Sequence, residues 1–256
     1  MGDSALKVWH DRDGTLLRLR LSRPKANIID AEMIALLTAA FAAGAKDSHV
    51  KAVLLDHEGP HFSFGASVPE HMPDQCEAML KGLHALVIAM VEHPVPILVA
   101  ARGQCLGGGL EVAAAGHFLF VAPDTKLGQP EIQLAVFAPA ASCLLPERMP
   151  RVAAEDLLVS GRSIGAEEAV RLGLANAVAE EPETAALAWF DAGLVKHSAS
   201  SIRFAVKAAR LDMVARVKAK IAAVEDLYLN GLMATHDAVE GLTAFVEKRP
   251  AKWEDR

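Results

Sequence analysis

Two glutamates and two glycine-bearing turns are the parts of this chain whose residue types and spacing could do chemistry. Gln104-Cys105-Leu106-Gly107-Gly108-Gly109-Leu110-Glu111 follows the apolar run Pro94 to Ala101 and precedes another from Leu110 to Ala115. The first run reads as a buried strand and the second as a helix, so the glycines predict a strand-to-helix turn. Glycines let another molecule approach the main chain closely, and the first helical turn adds unpaired N–H donors and the positive end of the helix dipole. An oxygen gaining negative charge in a reaction would be stabilised there. Glu111 comes three residues after Gly108, so its carboxylate belongs to the same first turn.

Glu131 is the second carboxylate, in Lys126-Leu127-Gly128-Gln129-Pro130-Glu131-Ile132, where Pro130 stiffens the loop. It lies twenty residues beyond Glu111, too far for one helix face but natural for the next loop of a parallel sheet. Two glutamates in one apolar cleft are driven to different pKa values, as a water-handling acid/base pair requires. Two solvated surface glutamates are the alternative that spacing alone leaves open.

The elements that must position these groups follow a repeated order. Leu17, Leu19 and Leu21 alternate with Arg18 and Arg20 after the turn Asp11 to Gly14, which predicts an N-terminal hairpin. The loop Ser22 to Asn27 brings Arg23 and Lys25 to a strand end, either to meet a phosphate or merely as a solvated charged loop, and Asp30 is placed to cap a helix from Ala31 to Ala45. Strands are expected over Val50 to Asp56 and His117 to Ala122, and a helix over Gln75 to Glu92 that ends before Pro94. Strand, loop, helix, strand implies parallel pairing with right-handed crossovers. Ligands of such sheets bind at the carboxyl ends of strands, where the loop His61 to Val68, with Gly65, is expected.

Composition narrows the function classes. A chain of 256 residues with 52% hydrophobic content can bury a sizeable core. A net charge of -6 argues against a nucleic-acid partner. Cys76, Cys105 and Cys143 show no ligand or disulfide spacing and suit the reducing cytoplasm; His57, His61 and His71 cluster without partners at a recognised spacing, so no metal is expected. No export signal and no membrane span are expected. Gly103, Gly107, Gly108 and Gly109 do not fit G-x-G-x-x-G, which removes a dinucleotide-binding dehydrogenase.

Helices are expected over Pro150 to Ser160 and Ala166 to Leu172, with a cap at Gly173 to Asn176, and the pattern from Pro182 to Val246 is helical with few breaks. Tyr228 and His236 read as packing residues with satisfied polar atoms.

The stretch Ile97 to Glu111 (ILVAARGQCLGGGLE), followed by Leu127 to Ile132 (LGQPEI), resembles the crotonase family of enoyl-CoA hydratases and isomerases. Matching stretches run almost end to end: Leu21 to Asn27, Phe64 to Ser67, Ser160 to Asn176 and Glu240 to Arg249. The resemblance implies an α/β crotonase-like spiral of β-β-α units over residues 1–195 and a C-terminal helical region, 196–256, that packs in a homotrimer or dimer of trimers. It implies an oxyanion hole from the N–H groups of Ala66 and Gly108, with Glu111 and Glu131 activating water. Coenzyme A, part of the substrate and the only cofactor implied, would lie along Arg23, Lys25, Ala26, Phe64 and Gly65, with Phe245 and Lys248 toward its nucleotide end. A non-catalytic acyl-CoA-binding trimer is the competing reading, and the two glutamates argue against it. Val136 to Ser142 stands where relatives carry a glycine-rich run, and Ser67 where they carry Asp; Phe137 and Pro139 are expected to wall a short acyl pocket suited to a cyclic dienoyl thioester.

Overall fold

A computed structural model describes residues 4–256. The predicted hairpin forms: β1 (Leu6–Asp11) pairs antiparallel with β2 (Leu16–Leu21) in a register running from Leu6 opposite Leu21 to Asp11 opposite Leu16. From β2 onward every pairing in the large sheet is parallel, through β3 (Ala52–His57), β4 (Ile97–Ala101), β6 (Phe118–Val121) and β9 (Ala177–Val178). In a second sheet of three short strands, β7 (Lys126–Gly128) lies between β5 (Gln104–Leu106), which it pairs parallel, and β8 (Ser163–Gly165), which it pairs antiparallel.

This second sheet changes the path around the glycines. The strand before them does not run straight into a helix. β4 stops at Ala101, the chain breaks direction at Arg102 and Gly103, and β5 then pairs with β7 before helix α3 (Gly108–Ala115) begins. The circuit through β4, β5 and α3 thus lays one strand in the large sheet, one in the small sheet and then a helix, the β-β-α unit of the spiral. Three-residue strands are too short to leave a period in the sequence, which is why Lys126 to Gly128 read as loop.

Both faces of the large sheet are covered. One packs on α1 (Ala31–Lys46), α2 (Cys76–Val91), α3, α4 (Pro139–Arg148) and α8 (Ala199–Asp226); α7 (Pro182–Gly193) covers the other with Ala186 and Phe190. Arg18, on the face opposite the leucines, is therefore buried too, where it binds Asp56 at 2.7 Å and Glu183. A guanidinium can sit there because three carboxylates, Asp56, Glu183 and Asp11 at 3.3 Å, offset its desolvation. Asp30 caps α1 as expected, accepting the Met33 N–H at 3.0 Å. Helices α5 (Arg151–Ser160) and α6 (Ala166–Arg171) complete the spiral.

The helix that carries Glu111 is fixed at its far end. All eight residues of α3 are buried, and the carbonyls at its C-terminus are met by arginines: Arg210 donates to Ala115 at 3.1 Å and to Gly116, and Arg148 donates to Gly116 at 2.7 Å. Cations at a helix C-terminus oppose the dipole and satisfy carbonyls left unpaired. Helix α8 ends in a π-helical turn, Leu227–Gly231, and a short 3-10 turn, Leu232–Ala234, before α9 (His236–Val246), which Thr235 caps through Ala238 at 3.3 Å. No described helix is long and apolar enough to cross a membrane.

Candidate active site

A cavity of about 480 Å³ opens where the carboxyl ends of the strands meet α9. Gly65, Ala66, Gly107 and Glu131 line one side of it, Val136 and Leu242 another, and the half-exposed rings of Phe64 and Phe245 stand at its edge. Two hollows along α8, of about 610 and 640 Å³, are lined by neither glutamate.

Ala66 and Gly108 come together although 42 residues of chain separate them (108 − 66). A Cβ built on Gly108 would lie 3.0 Å from both the nitrogen and the Cβ of Ala66, so the two backbones all but touch. Neither N–H finds an acceptor among the described residues. Gly108 is the first residue of α3, where an N–H has no partner within the helix. The Ala66 loop is held by Phe64 N–H to Ala26 at 2.9 Å and Ile29 N–H to Gly65 at 3.0 Å. The result is a pair of free donors, one on the cavity wall at Ala66 and the other beside it at Gly108, suited to an oxygen that takes on charge.

Glu111 is only 3% exposed and its Oε1 accepts the Ala141 N–H at 2.8 Å, from the first turns of α4. Burial raises its pKa, against which the Ala141 N–H, the charge of His84 and the Ala140 N–H all favour the ionised form. Glu131 faces the cavity from a 3-10 turn, Pro130–Leu134. Burial, and then the charge of Glu111, push its pKa up to about 8. The buried Gln129 amide, with its nitrogen turned toward Glu131, lies 3.0 Å from each carboxylate oxygen. A Cβ on Gly107, whose φ is +50°, would come within 2.7 Å of Glu131 Oε1, so the carboxylate occupies room that only glycine leaves. Gln129 and Ala141 were not picked out from sequence. Gln129 had its place two residues before Glu131 as a signal; Ala141 had none, because its part is played by a backbone N–H.

Other expected residues separate into those at the cavity and those away from it. Arg23 is not free: its guanidinium binds Asp30 at 2.5 and 2.7 Å. Lys25 is exposed, on the loop that Ala26 ties to Phe64. Phe245 lines the cavity, whereas Lys248 is exposed and outside its lining. Phe137 does not line it either; its ring packs edge-on against Tyr228 at 5.2 Å, behind Val136. Pro139 is buried as the first residue of α4.

The three clustered histidines brace loops. His57, whose pKa burial lowers to about 4, accepts the Arg102 N–H at 3.2 Å; His61 Nδ1 accepts the Gln104 N–H at 3.1 Å; and His71, also lowered by burial, bonds the Ser67 carbonyl at 2.8 Å. Tyr228 differs from its sequence reading: the ring is fully buried but the hydroxyl has no partner among the described residues.

Residues 11–256 match the family model described as enoyl-CoA hydratase/isomerase. The chain is 66% identical over 253 residues to the cyclohexa-1,5-dienecarbonyl-CoA hydratase of Thauera aromatica, covering 99% of this chain and 98% of that one. It is 28% identical to the carnitinyl-CoA dehydratase of Escherichia coli (strain K12), covering 96% and 97%. Among solved structures, an enoyl-CoA hydratase from Mycobacterium avium superposes with a TM-score of 0.87 at 22% identity, covering 98% of this chain and all of that one.

Proposed function

The chain belongs to the enoyl-CoA hydratase/isomerase family, and from that premise we propose that it is a hydro-lyase acting on a cyclic dienoyl thioester of coenzyme A. The reaction is reversible addition of water to cyclohexa-1,5-diene-1-carbonyl-CoA, giving 6-hydroxycyclohex-1-ene-1-carbonyl-CoA. Its acyl group rests on the 66% identity to the Thauera aromatica hydratase over nearly the whole chain. The observation that carries the chemistry is the half-buried Glu131 and the unpartnered Ala66 N–H on one cavity, with the buried Glu111 near enough for its charge to act on Glu131 and the unpartnered Gly108 N–H against Ala66.

The substrate's two double bonds are conjugated through the ring carbon that bears the thioester. Hydroxide added at ring carbon C2 sends an electron pair toward the thioester oxygen, and the charge spreads to C5 across the ring. Donation from the N–H groups of Ala66 and Gly108 holds that oxygen's charge. Protonation at C5 leaves the remaining double bond conjugated with the thioester, which is the product named above. In this reading Glu111, whose pKa burial raises but whose carboxylate the Ala141 and Ala140 N–H groups and His84 favour, takes the proton from water, and Glu131, its pKa pushed up to about 8, gives one to the ring. One glutamate gains a proton as the other loses one, and the pair is restored when a proton passes back between them.

The coenzyme A moiety is assigned to the surface around Lys25, Ala26, Phe64, Gly65 and Phe245. Arg23 serves there by anchoring its loop to Asp30. No cofactor beyond the substrate's own coenzyme A enters the scheme. The acyl end is walled by Val136 and Leu242, with Phe137 behind them, which suits a short flat ring. The test offers this thioester and crotonyl-CoA at equal concentration and follows the gain of one water by mass. The cyclic substrate is expected to show the higher kcat/KM. A preference for crotonyl-CoA makes the protein a general short-chain enoyl-CoA hydratase, and no water gain with either removes the hydratase reading.

The assembly we propose is a homotrimer or a dimer of trimers in the cytoplasm, where the three buried free thiols stay reduced. Residues 196–256 are assigned as its helical packing region, since Phe204 and Leu211 on α8 are 75% and 63% exposed in the single chain. Sedimentation equilibrium is expected to give three or six times the chain mass of 27.2 kDa. A monomer would remove this role for the helical tail.

A further inference from the structure

Tyr228 is the chain's only tyrosine, and its hydroxyl is buried without a hydrogen-bond partner among the described residues. It sits in the π-helical turn that ends α8, a departure from α geometry that is frequent at functional sites. Its ring belongs to a buried cluster with Cys76, Met79, Leu80, Val136 and Leu242; Tyr228 does not itself line the cavity that Glu131 faces, but Val136 and Leu242 do, so the phenol lies in the layer directly behind that wall. A phenol enclosed by apolar side chains would be better replaced by phenylalanine if packing were its only task, because an unmatched buried hydroxyl destabilises the fold.

We propose that the Tyr228 hydroxyl is a third hydrogen-bond partner, with Glu111 and Glu131, for the oxygen that adds to the substrate: the bound water in one direction and the product alcohol in the other. A buried water commonly makes about three hydrogen bonds to groups that otherwise lack partners, and two carboxylates supply only two. Burial, and after it any charge on Cys76, Glu131 or Glu111, holds the phenol's pKa up, so it stays protonated as a neutral donor. Such a donor fixes where the water oxygen points without taking part in the proton exchange of the carboxylates. This inference rests on the hydratase reading.

The test is Tyr228→Phe, which removes one oxygen and leaves the ring in place. Hydration of the cyclic thioester is expected to lose roughly tenfold or more in kcat with KM changed less than about twofold, because the thioester's own contacts are untouched. The melting temperature should hold or rise, since an orphaned hydroxyl has gone. Unchanged kcat would overturn the proposal, and so would a fall in kcat that tracks a loss of melting temperature, which is the mark of packing alone. Tyr228→Leu supplies the second check: it should lose both stability and activity, and if it retains the parent's kcat the hydroxyl has no part in the reaction. Failure of the hydratase reading shows separately, as an unsubstituted enzyme that adds no water to either thioester.

Discussion

Glu111→Gln and Glu131→Gln should each fold, bind the acyl-CoA and lose a factor of roughly 10²–10⁴ in kcat, the usual worth of a positioned acid or base. The amide keeps the shape of the carboxylate, and at position 111 its oxygen can still accept the Ala141 N–H now bonded at 2.8 Å. What disappears is the capacity to exchange a proton. Single-turnover hydration with either variant measures the chemical step directly, and a loss of only a few-fold at both positions would end the acid/base assignment. Substitution at 131 should also show itself in stability. The Glu131 pKa of about 8 lies above its ordinary value of 4.5. Between those limits the folded protein binds more protons than the unfolded chain, so this group's contribution to stability is full below pH 4.5 and is lost as pH rises through about 8. Glu131→Gln lacks that dependence. Its melting temperature relative to the parent should climb from pH 5 to pH 9, and parallel curves would place Glu131 in water rather than in an apolar wall.

Much of the scaffold could be read from residues because its signals are local. The leucine alternation in β2, the Asp30 cap and the glycines before Glu111 each need only a few neighbours in sequence. The two carboxylates and the two N–H groups were legible for the same reason: every one stands within two residues of a glycine or proline that marks a turn. The rest depends on contacts between distant segments. Arg23 looked like a free cation, but Asp30 seven residues on occupies both of its terminal nitrogens. Phe137 looked like a pocket wall, yet the face it presents is set by Tyr228, which reaches it from the end of α8. Nor does any pattern within β5 or β7 announce a second sheet, since three residues cannot show a period of two convincingly. Tyr228 was misread on the sound expectation that buried polar atoms find partners; only packing reveals the exception.

Removing the Gly108 N–H should cost about 2.7–4 kcal/mol of transition-state stabilisation, the measured range for one oxyanion donor, or 10²–10³ in kcat. Gly108→Pro does this by chemistry, and α3 can accept it. Gly108 is the first helical residue, where an N–H has no helical partner and proline's fixed φ suits the geometry. Tolerance on the cavity side is the harder matter, because even a Cβ there meets the Ala66 nitrogen and Cβ at 3.0 Å. Gly108→Ala separates the two effects. It keeps the donor but places a methyl between the two N–H groups, and its neighbours must yield by a few tenths of an ångström. If the alanine variant retains most of its kcat while proline loses 10²–10³, the donor itself carries the effect. If both fall equally with circular dichroism unchanged, the space in front of Ala66 matters as much as the hydrogen bond, since a thioester oxygen held off by a methyl can reach neither N–H. If proline retains the parent's kcat, the charge of the intermediate is not held here, and the oxyanion role of Ala66 and Gly108 must be abandoned.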